Sequence, residues 1–85
     1  MKGSLVYWIK ESNERLKGLR LTYCGENDLD ILSNSGLAGL RRARMSRLID
    51  EAKKQGVRLS YRDLSLILLT SRSTLKRDMR IFGKR

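Results

Sequence analysis

Basic and hydroxyl side chains near the C-terminus of the chain recur at helical spacing and are suited to binding phosphates and base edges. At about 100° per residue, Leu75, Met79 and Phe82 share one helix face. An arginine on the opposite face can donate two parallel hydrogen bonds to guanine, and lysine or serine can hold phosphates or bases. No acidic residue falls on that outward face, which favours a polyanion partner over a merely solvated face of a helix bundle. The outward residues are Ser73, Lys76, Arg77, Arg80 and Lys84.

A second, shorter helix is predicted just before this basic one. Ser60 is a suitable N-cap and Asp63 can complete a capping box, so we expect a helix from Ser60 to about Leu69. Leu64 and Leu68 lie one turn apart on its inner side, and the small Ser65 falls where two helices would cross. Thr70-Ser71 interrupts the pattern, and Ser71 or Arg72 opens the next helix, whose first N–H groups offer a further phosphate site. Residues 60–83 are therefore predicted to form a helix-turn-helix.

The elements that must support this motif are predicted from local patterns upstream. Residues 5–24 read as a β-hairpin, with strands at 5–10 and 19–24 and the polar segment ESNERLKG between them. A short helix over 27–33 is ended by Asn34-Ser35-Gly36, and a long helix covers 37–55. The fold class is α+β, mainly α: one domain over 1–85, with an N-terminal β-hairpin, a short helix and a three-helix helix-turn-helix bundle. The apolar arc of the long helix contains Leu37, Met45, Leu48, Ile49 and Ala52.

The formal charge of +10 lies entirely in the second half of the chain. Five basic residues up to Gly36 are matched by five acidic ones, whereas 14 lysines and arginines follow it against four acidic residues. This concentration of positive charge favours nucleic acid over a small acidic ligand. A membrane surface is a weaker partner, because the basic helices lack a broad aromatic-rich apolar face.

The composition also argues against several classes of protein. With one cysteine, Cys24, and no histidine, the chain has neither an internal disulfide nor a Cys/His zinc site, and we expect no cofactor and no enzymatic activity. Asp28 and Asp30 fit better as first-turn helix carboxylates than as a metal pair. No apolar segment is long enough for a signal peptide or a membrane span, so we expect a cytoplasmic, nucleoid-associated protein.

The segment LSYRDLSLILLTSRSTLKRDM resembles the helix-turn-helix of DeoR-type bacterial and archaeal regulators. From about Leu5 onward the chain also resembles the C-terminal part of an uncharacterised, largely archaeal helix-turn-helix family, some of whose members are similar to transposon-borne proteins. The resemblance implies DNA binding. The recognition-helix pattern of the DeoR-type regulators falls on Ser71, Thr74, Leu75, Lys76, Arg77, Asp78 and Met79.

Two positions depart from simple patterns. Leu69 occupies a turn position that is often glycine, and we expect a turn that avoids the left-handed conformation, which would cost roughly 1–2 kcal/mol. Arg41 interrupts the apolar arc of the long helix, and we expect it to snorkel or to meet a phosphate at the edge of the core. The predicted DNA-binding residues are Ser71, Arg72, Ser73, Thr74, Lys76, Arg77, Arg80, Lys84, Arg41 and Arg42.

The preferred interpretation is a sequence-specific binder of double-stranded DNA, a transcriptional regulator or a subunit of a mobile element. The alternatives are an RNA-binding protein or a protein-interaction module whose basic helical face meets an acidic partner. A homodimer is expected, because the helix that contains Leu66, Ile67 and Leu69 is apolar nearly all round and both hairpin faces are apolar. The hairpin is expected to be a wing beside the DNA, a packing element or a dimerising element.

Overall fold

A computed structural model of the protein describes residues 3–83, with side chains as far as Arg80. Two antiparallel strands precede three helices, so the fold is α+β and mainly α, as predicted. The buried core draws on every element after β1 and contains nine apolar side chains. The elements are β1 (Gly3–Lys10), β2 (Leu16–Cys24), α1 (Asp28–Lys54), α2 (Tyr61–Leu68) and α3 (Arg72–Gly83). The core residues are Leu19, Leu21, Met45, Leu48, Ala52, Leu59, Leu64, Ile67 and Leu75.

The hairpin is longer and its loop shorter than predicted. Leu16 to Gly18 belong to β2, where they pair with Lys10, Ile9 and Trp8, instead of extending the polar loop. The chain reverses within five residues because the N–H of Glu14 bonds to the carbonyl of Glu11 at 2.8 Å and Glu14 adopts a positive φ of 65°. Pairing across this tight turn supplies β2 with partners that its own polar sequence did not indicate.

Helix α1 consists of two arms joined at Gly36. This glycine has φ 72° and ψ −174°, a conformation open essentially to glycine alone. Asp28 in the first arm (residues 28–35) lies 2.9 Å from Arg44 in the second arm (residues 37–54), although 16 residues of straight helix would separate them by about 24 Å. The two arms are therefore folded back against each other, and the predicted helix stop at Asn34-Ser35-Gly36 lies at this reversal.

The second arm packs on the inner face of the hairpin. Met45, Leu48 and Ala52 are fully buried there against Leu19 and Leu21 of β2. The prediction that Leu37 joins this arc is wrong, because its side chain is 74% exposed. Leu40 is buried in the same arm but does not belong to the core cluster on the hairpin. Arg44 stacks on Tyr23, which lies at the end of β2. The residues of the second arm that precede Arg44 therefore extend past the end of the sheet.

Side chains from the last turns of α1 and from its C-cap, Gln55, close the outer edge of β2. The amide of Gln55 behaves like a peptide of a third strand: its oxygen accepts from Arg20 N at 2.9 Å and its nitrogen donates to Arg20 O at 2.8 Å. Glu51 accepts from Thr22 N at 2.7 Å, and Arg47 donates to Thr22 O at 3.1 Å. These bonds satisfy backbone groups that a two-stranded sheet would otherwise leave open.

Asp28 is buried between two arginines of the second arm. Its carboxylate accepts from Arg44 at 2.9 Å and from Arg47 at 3.1 Å. Burial alone would raise the pKa of Asp28, but the hydrogen bonds from Arg47 and Arg44 lower it to about 2. Gly25 leaves room for this arrangement, because a Cβ there would lie 2.5 Å from Arg47 Nη1. Asp28 thus fastens the two arms together, a role beyond the first-turn position that the sequence indicated.

Replacing Asp28 with asparagine should destabilise the protein in a pH-dependent way. The pKa of Asp28 falls from 3.8 to about 2 on folding, so its stabilisation is complete above about pH 4 and is lost as the pH falls towards 2. We expect Asp28→Asn to lower the free energy of unfolding by about 2 kcal/mol at pH 6, and by much less at pH 2. Urea unfolding of both proteins at the two pH values measures the difference.

Asp30→Asn is the matched control, since Asp30 is an exposed carboxylate in the same helical turn. It should change the free energy of unfolding by only a few tenths of a kcal/mol at either pH. Equal effects of the two variants would show that Asp28 acts through the helix dipole and not through its arginines.

Candidate nucleic-acid interface

Helix α2 begins with the predicted capping box and is fastened to the hairpin at the same point. Ser60 Oγ accepts from Asp63 N at 3.1 Å, and the Asp63 carboxylate accepts from Ser60 N at 3.0 Å. Tyr7 of β1 donates to the same carboxylate at 2.7 Å. Burial and this neighbouring carboxylate raise the pKa of Tyr7 to about 12. The orientation of α2 is therefore set by both its own cap and the sheet.

The turn between α2 and α3 is left-handed at Leu69, contrary to the sequence-based expectation. Leu69 has φ 54° and ψ 45°, and its N–H bonds to the carbonyl of Ser65. The Ser65 hydroxyl donates to Thr70 O at 2.6 Å, and Ser65 O accepts from Thr70 N at 3.2 Å. Ser65 thus donates one hydrogen bond to this turn and accepts two from it, which stabilises a conformation that is unfavourable for leucine. Ser65 was predicted to matter for its small size, and the structure adds this bonding role.

Leu69→Gly should stabilise the protein. The Leu69 side chain is 85% exposed, so its loss removes little packing, while glycine adopts the left-handed conformation without strain. We expect a gain of about 1 kcal/mol, reduced by the greater entropy of glycine in the unfolded chain. Thermal and urea unfolding measure it. Leu69→Ala removes most of the same exposed side chain but keeps the Cβ, and it should give no gain. Equal stabilisation by both variants would contradict the inference that the backbone of Leu69 is strained.

Helix α3 begins at the predicted cap. Ser71 Oγ accepts from Thr74 N at 3.3 Å and is hydrogen-bonded to the Thr74 hydroxyl at 2.9 Å, while Ser71 O receives Leu75 N. This cap consumes the side chains of Ser71 and Thr74. The N–H groups of Arg72 and Ser73, in the first turn, remain directed along the start of the helix.

The two sides of α3 differ completely in character. Leu75 is fully buried and Met79 is partly buried against the core. The opposite side carries cations, and Lys76 Nζ lies 5.8 Å from the centre of the Tyr61 ring of α2, a cation–π contact that draws this lysine towards α2. In the part of α3 that the structure describes, no carboxylate is exposed. The exposed residues at the start and on the outer side are Ser71, Arg72, Ser73, Lys76, Arg77 and Arg80.

Asp78, the acidic residue of α3, faces inward and joins α3 to α1. Its side chain is 1% exposed and accepts from Arg41 Nε at 2.6 Å and from Arg42 Nε at 3.2 Å. Burial would raise the pKa of Asp78, but the hydrogen bond and charge of Arg41, followed by those of Arg42, lower it. The hydrogen bond to Asp78 in turn raises the pKa of Arg41. Because Arg41 also bonds through Nη2 at 3.3 Å, the contact is two-pronged and directional.

Replacing Asp78 with asparagine should loosen α3 from α1. The change leaves two arginines without their carboxylate, and since both are partly exposed we expect a loss of about 2 kcal/mol in the free energy of unfolding. Urea unfolding measures this loss, and amide exchange along α3 should accelerate. Asp50→Asn, at an exposed position of α1, makes the same change of charge. It should have little effect; equal losses in both variants would assign the effect to net charge alone.

The structure brings most of the predicted binding residues onto one side of α3, but not all. Arg41 and Arg42 are occupied by Asp78 and retain side-chain exposures of 26% and 34%, so their contact with DNA stays a prediction. Lys84 lies outside the described residues, as does the side chain of Phe82. Sequence reasoning missed the role of Asp78. Arg41 and Asp78 have opposite charges, and each interrupts the apolar face of its helix. This coincidence in the sequence could have indicated that the two residues form an ion pair.

Comparison with known proteins matches residues 6–85 to the family described as Protein of unknown function (DUF1670). The chain belongs to this family. No curated protein and no solved structure matches it. Within residues 3–83, none of the helices combines the length and the apolar character required to cross a membrane. Across the same residues, no three histidine, cysteine or acidic side chains are grouped so that they could hold a metal ion.

Proposed function

We propose that this protein binds double-stranded DNA and that the outer side of α3 enters the major groove. The observation that carries the proposal is the separation of charge on α3. Its exposed charged residues are all cations, while Asp78 is buried and forms ion pairs with Arg41 and Arg42 of α1. A surface kept only for solubility would mix both signs of charge, as the exposed parts of the hairpin do.

The surrounding elements support insertion into a groove. Helices α2 and α3 are joined by only three residues, Leu69 to Ser71, and α2 packs behind α3 on the shared buried residues Leu64 and Leu75. A helix backed in this way exposes one side along its length, which is the requirement for placing four or five side chains on base edges and phosphates. The resemblance to DeoR-type helix-turn-helix motifs points in the same direction.

Five residues of the outer side have proposed roles. Arg77 and Arg80 project from the middle of α3 and are the candidates for bidentate contacts to guanine. Lys76, Arg72 and Ser73 are assigned to phosphates, the last two together with the N–H groups at the start of the helix. Arg41 and Arg42 are proposed to contact a neighbouring phosphate through the part of each guanidinium that Asp78 leaves exposed.

Alanine substitutions on α3 should separate base contacts from phosphate contacts. On a duplex selected from random sequence by the wild-type protein, Arg77→Ala and Arg80→Ala should each weaken binding by about 1–3 kcal/mol, with a smaller loss on a scrambled duplex. Lys76→Ala should weaken both duplexes alike and reduce the slope of log affinity against log salt by about 1. Fluorescence anisotropy across a salt series gives both quantities.

Arg15→Ala provides the control, since it removes the same charge from the exposed hairpin loop. It should leave the difference between selected and scrambled duplexes unchanged. Parallel titrations with single-stranded DNA and with duplex RNA test the choice of nucleic acid. Tighter binding of either than of any duplex DNA, or the same affinity for wild type and all three α3 variants, would overturn the proposal.

We propose that the biological role is that of a sequence-specific regulator or of the DNA-binding part of a mobile element, with the protein associated with the nucleoid. The concentration of positive charge in the second half of the chain supports rapid, salt-dependent association with DNA followed by local discrimination through α3.

A further inference from the structure

The two edges of the hairpin are treated differently by the rest of the fold. The edge of β2 is closed by Gln55, Glu51 and Arg47, as described above. Those bonds engage the N–H groups of Arg20 and Thr22, so the backbone groups of these two residues point away from β1. In an antiparallel pair, residues opposite each other share this orientation, and opposite Arg20 and Thr22 are Val6 and Ser4.

The outward backbone groups of β1 therefore belong to every second residue of the strand: Ser4, Val6, Trp8 and Lys10. Among residues 3–83, no hydrogen bond from a loop, a helix cap or a side chain engages the N–H or C=O of these four. The edge has few of the features that usually prevent edge pairing, and the one irregularity in its pairing with β2 lies at its start, between Gly3 and Ser4. It contains no proline, and its single charge is Lys10 at the far end.

Apolar side chains accompany this open edge. Val6 is 52% and Trp8 63% exposed on the outer face of the sheet, where both lie over Gly18 of β2. Leu66 of α2 is exposed beside the same strand and lines a groove with Trp8 and Lys10. An open row of backbone donors and acceptors, flanked by exposed apolar groups, is the arrangement that binds an additional β-strand.

We infer that β1 pairs antiparallel with β1 of a second copy of this chain, which gives a four-stranded sheet in the order β2-β1-β1-β2. Pairing across a two-fold axis beside Tyr7 would place Val6 opposite Trp8 of the second copy and Ser4 opposite Lys10. This register uses all four outward residues of each strand. A shift by one pairing step in either direction leaves one of them without a partner.

The distribution of charge favours contact between two copies through their hairpins over contact through their helical halves. The first 36 residues have no net charge, while the remainder carries the entire +10. The hairpin itself, residues 3–24, contains four basic and two acidic residues and has a net charge of +2. Two copies that approach through their helical halves therefore repel each other more strongly than two copies that approach through their hairpins. The register also keeps the two copies of Lys10 apart, since each faces Ser4. Val6 and Trp8 form cross-strand apolar pairs, which stabilise such ladders.

The inference concerns the hairpin alone and does not depend on DNA binding, so it is tested without DNA. Sedimentation equilibrium from low to high micromolar concentration should show a reversible dimer. Val6→Lys places a charge on the edge, where it would face Trp8 of the second copy, and should raise the dimer dissociation constant at least about tenfold. Leu37→Lys places the same charge at a more exposed apolar position of α1 and should leave the constant unchanged.

Amide hydrogen exchange gives an independent measurement on the unmodified protein. The N–H groups of Val6 and Trp8 should exchange slowly in the dimer and faster on dilution, whereas those of Leu5 and Tyr7, which point to β2, should not depend on concentration. A monomer across the whole concentration range would overturn the inference and leave the edge to a strand of another protein. A dimer with fast exchange at Val6 and Trp8, or one equally weakened by both lysine variants, would also overturn it.

Discussion

The fold depends on the way in which one arginine-rich helical arm is neutralised. Arg41, Arg42, Arg44 and Arg47 lie within seven residues of α1. Left unpaired, such a cluster would repel itself wherever it packed. Asp28 arrives from the first arm of α1 and Asp78 from α3, and each accepts from two of the arginines. The second arm thus gathers two distant segments around itself, and its apolar side meanwhile packs on the hairpin.

This use of carboxylates explains why the charge of the surface is so uneven. Both aspartates are buried and paired with arginines, so their negative charge stabilises contacts between elements and neither carboxylate is exposed beside the cations of α3. An inward-facing ion pair also fixes the rotation of α3 about its own axis more strictly than apolar packing on Leu75 alone would, because a two-pronged contact with Arg41 is directional. Rotation is the variable that determines which side chains of α3 reach a partner.

Local signals in the sequence predicted much of the fold, and long-range contacts account for what they missed. The hairpin, the helix break at Gly36, the capping box of Ser60 and the cap at Ser71 each depend on residues within a few positions of one another. The extension of β2 to Leu16 depends on pairing with β1. The left-handed Leu69 depends on hydrogen bonds to Ser65 that compensate for its strain. The candidate site shows the same division: helical periodicity predicted its outward cations, but no local rule indicated that Asp78 meets Arg41 and Arg42.

The hairpin and the basic helix are connected through α1, although they lie at opposite ends of the sequence. Arg47 bonds to both Asp28 and the backbone of β2, and six residues earlier Arg41 holds Asp78 of α3. Since these contacts lie along one helical arm of fixed geometry, the orientation of the sheet constrains the orientation of α3. Tyr7 adds a second connection, because it bonds to the capping carboxylate of α2, the helix on which α3 rests. Any partner that fixes the position of the hairpin therefore also fixes the direction in which α3 presents its cations.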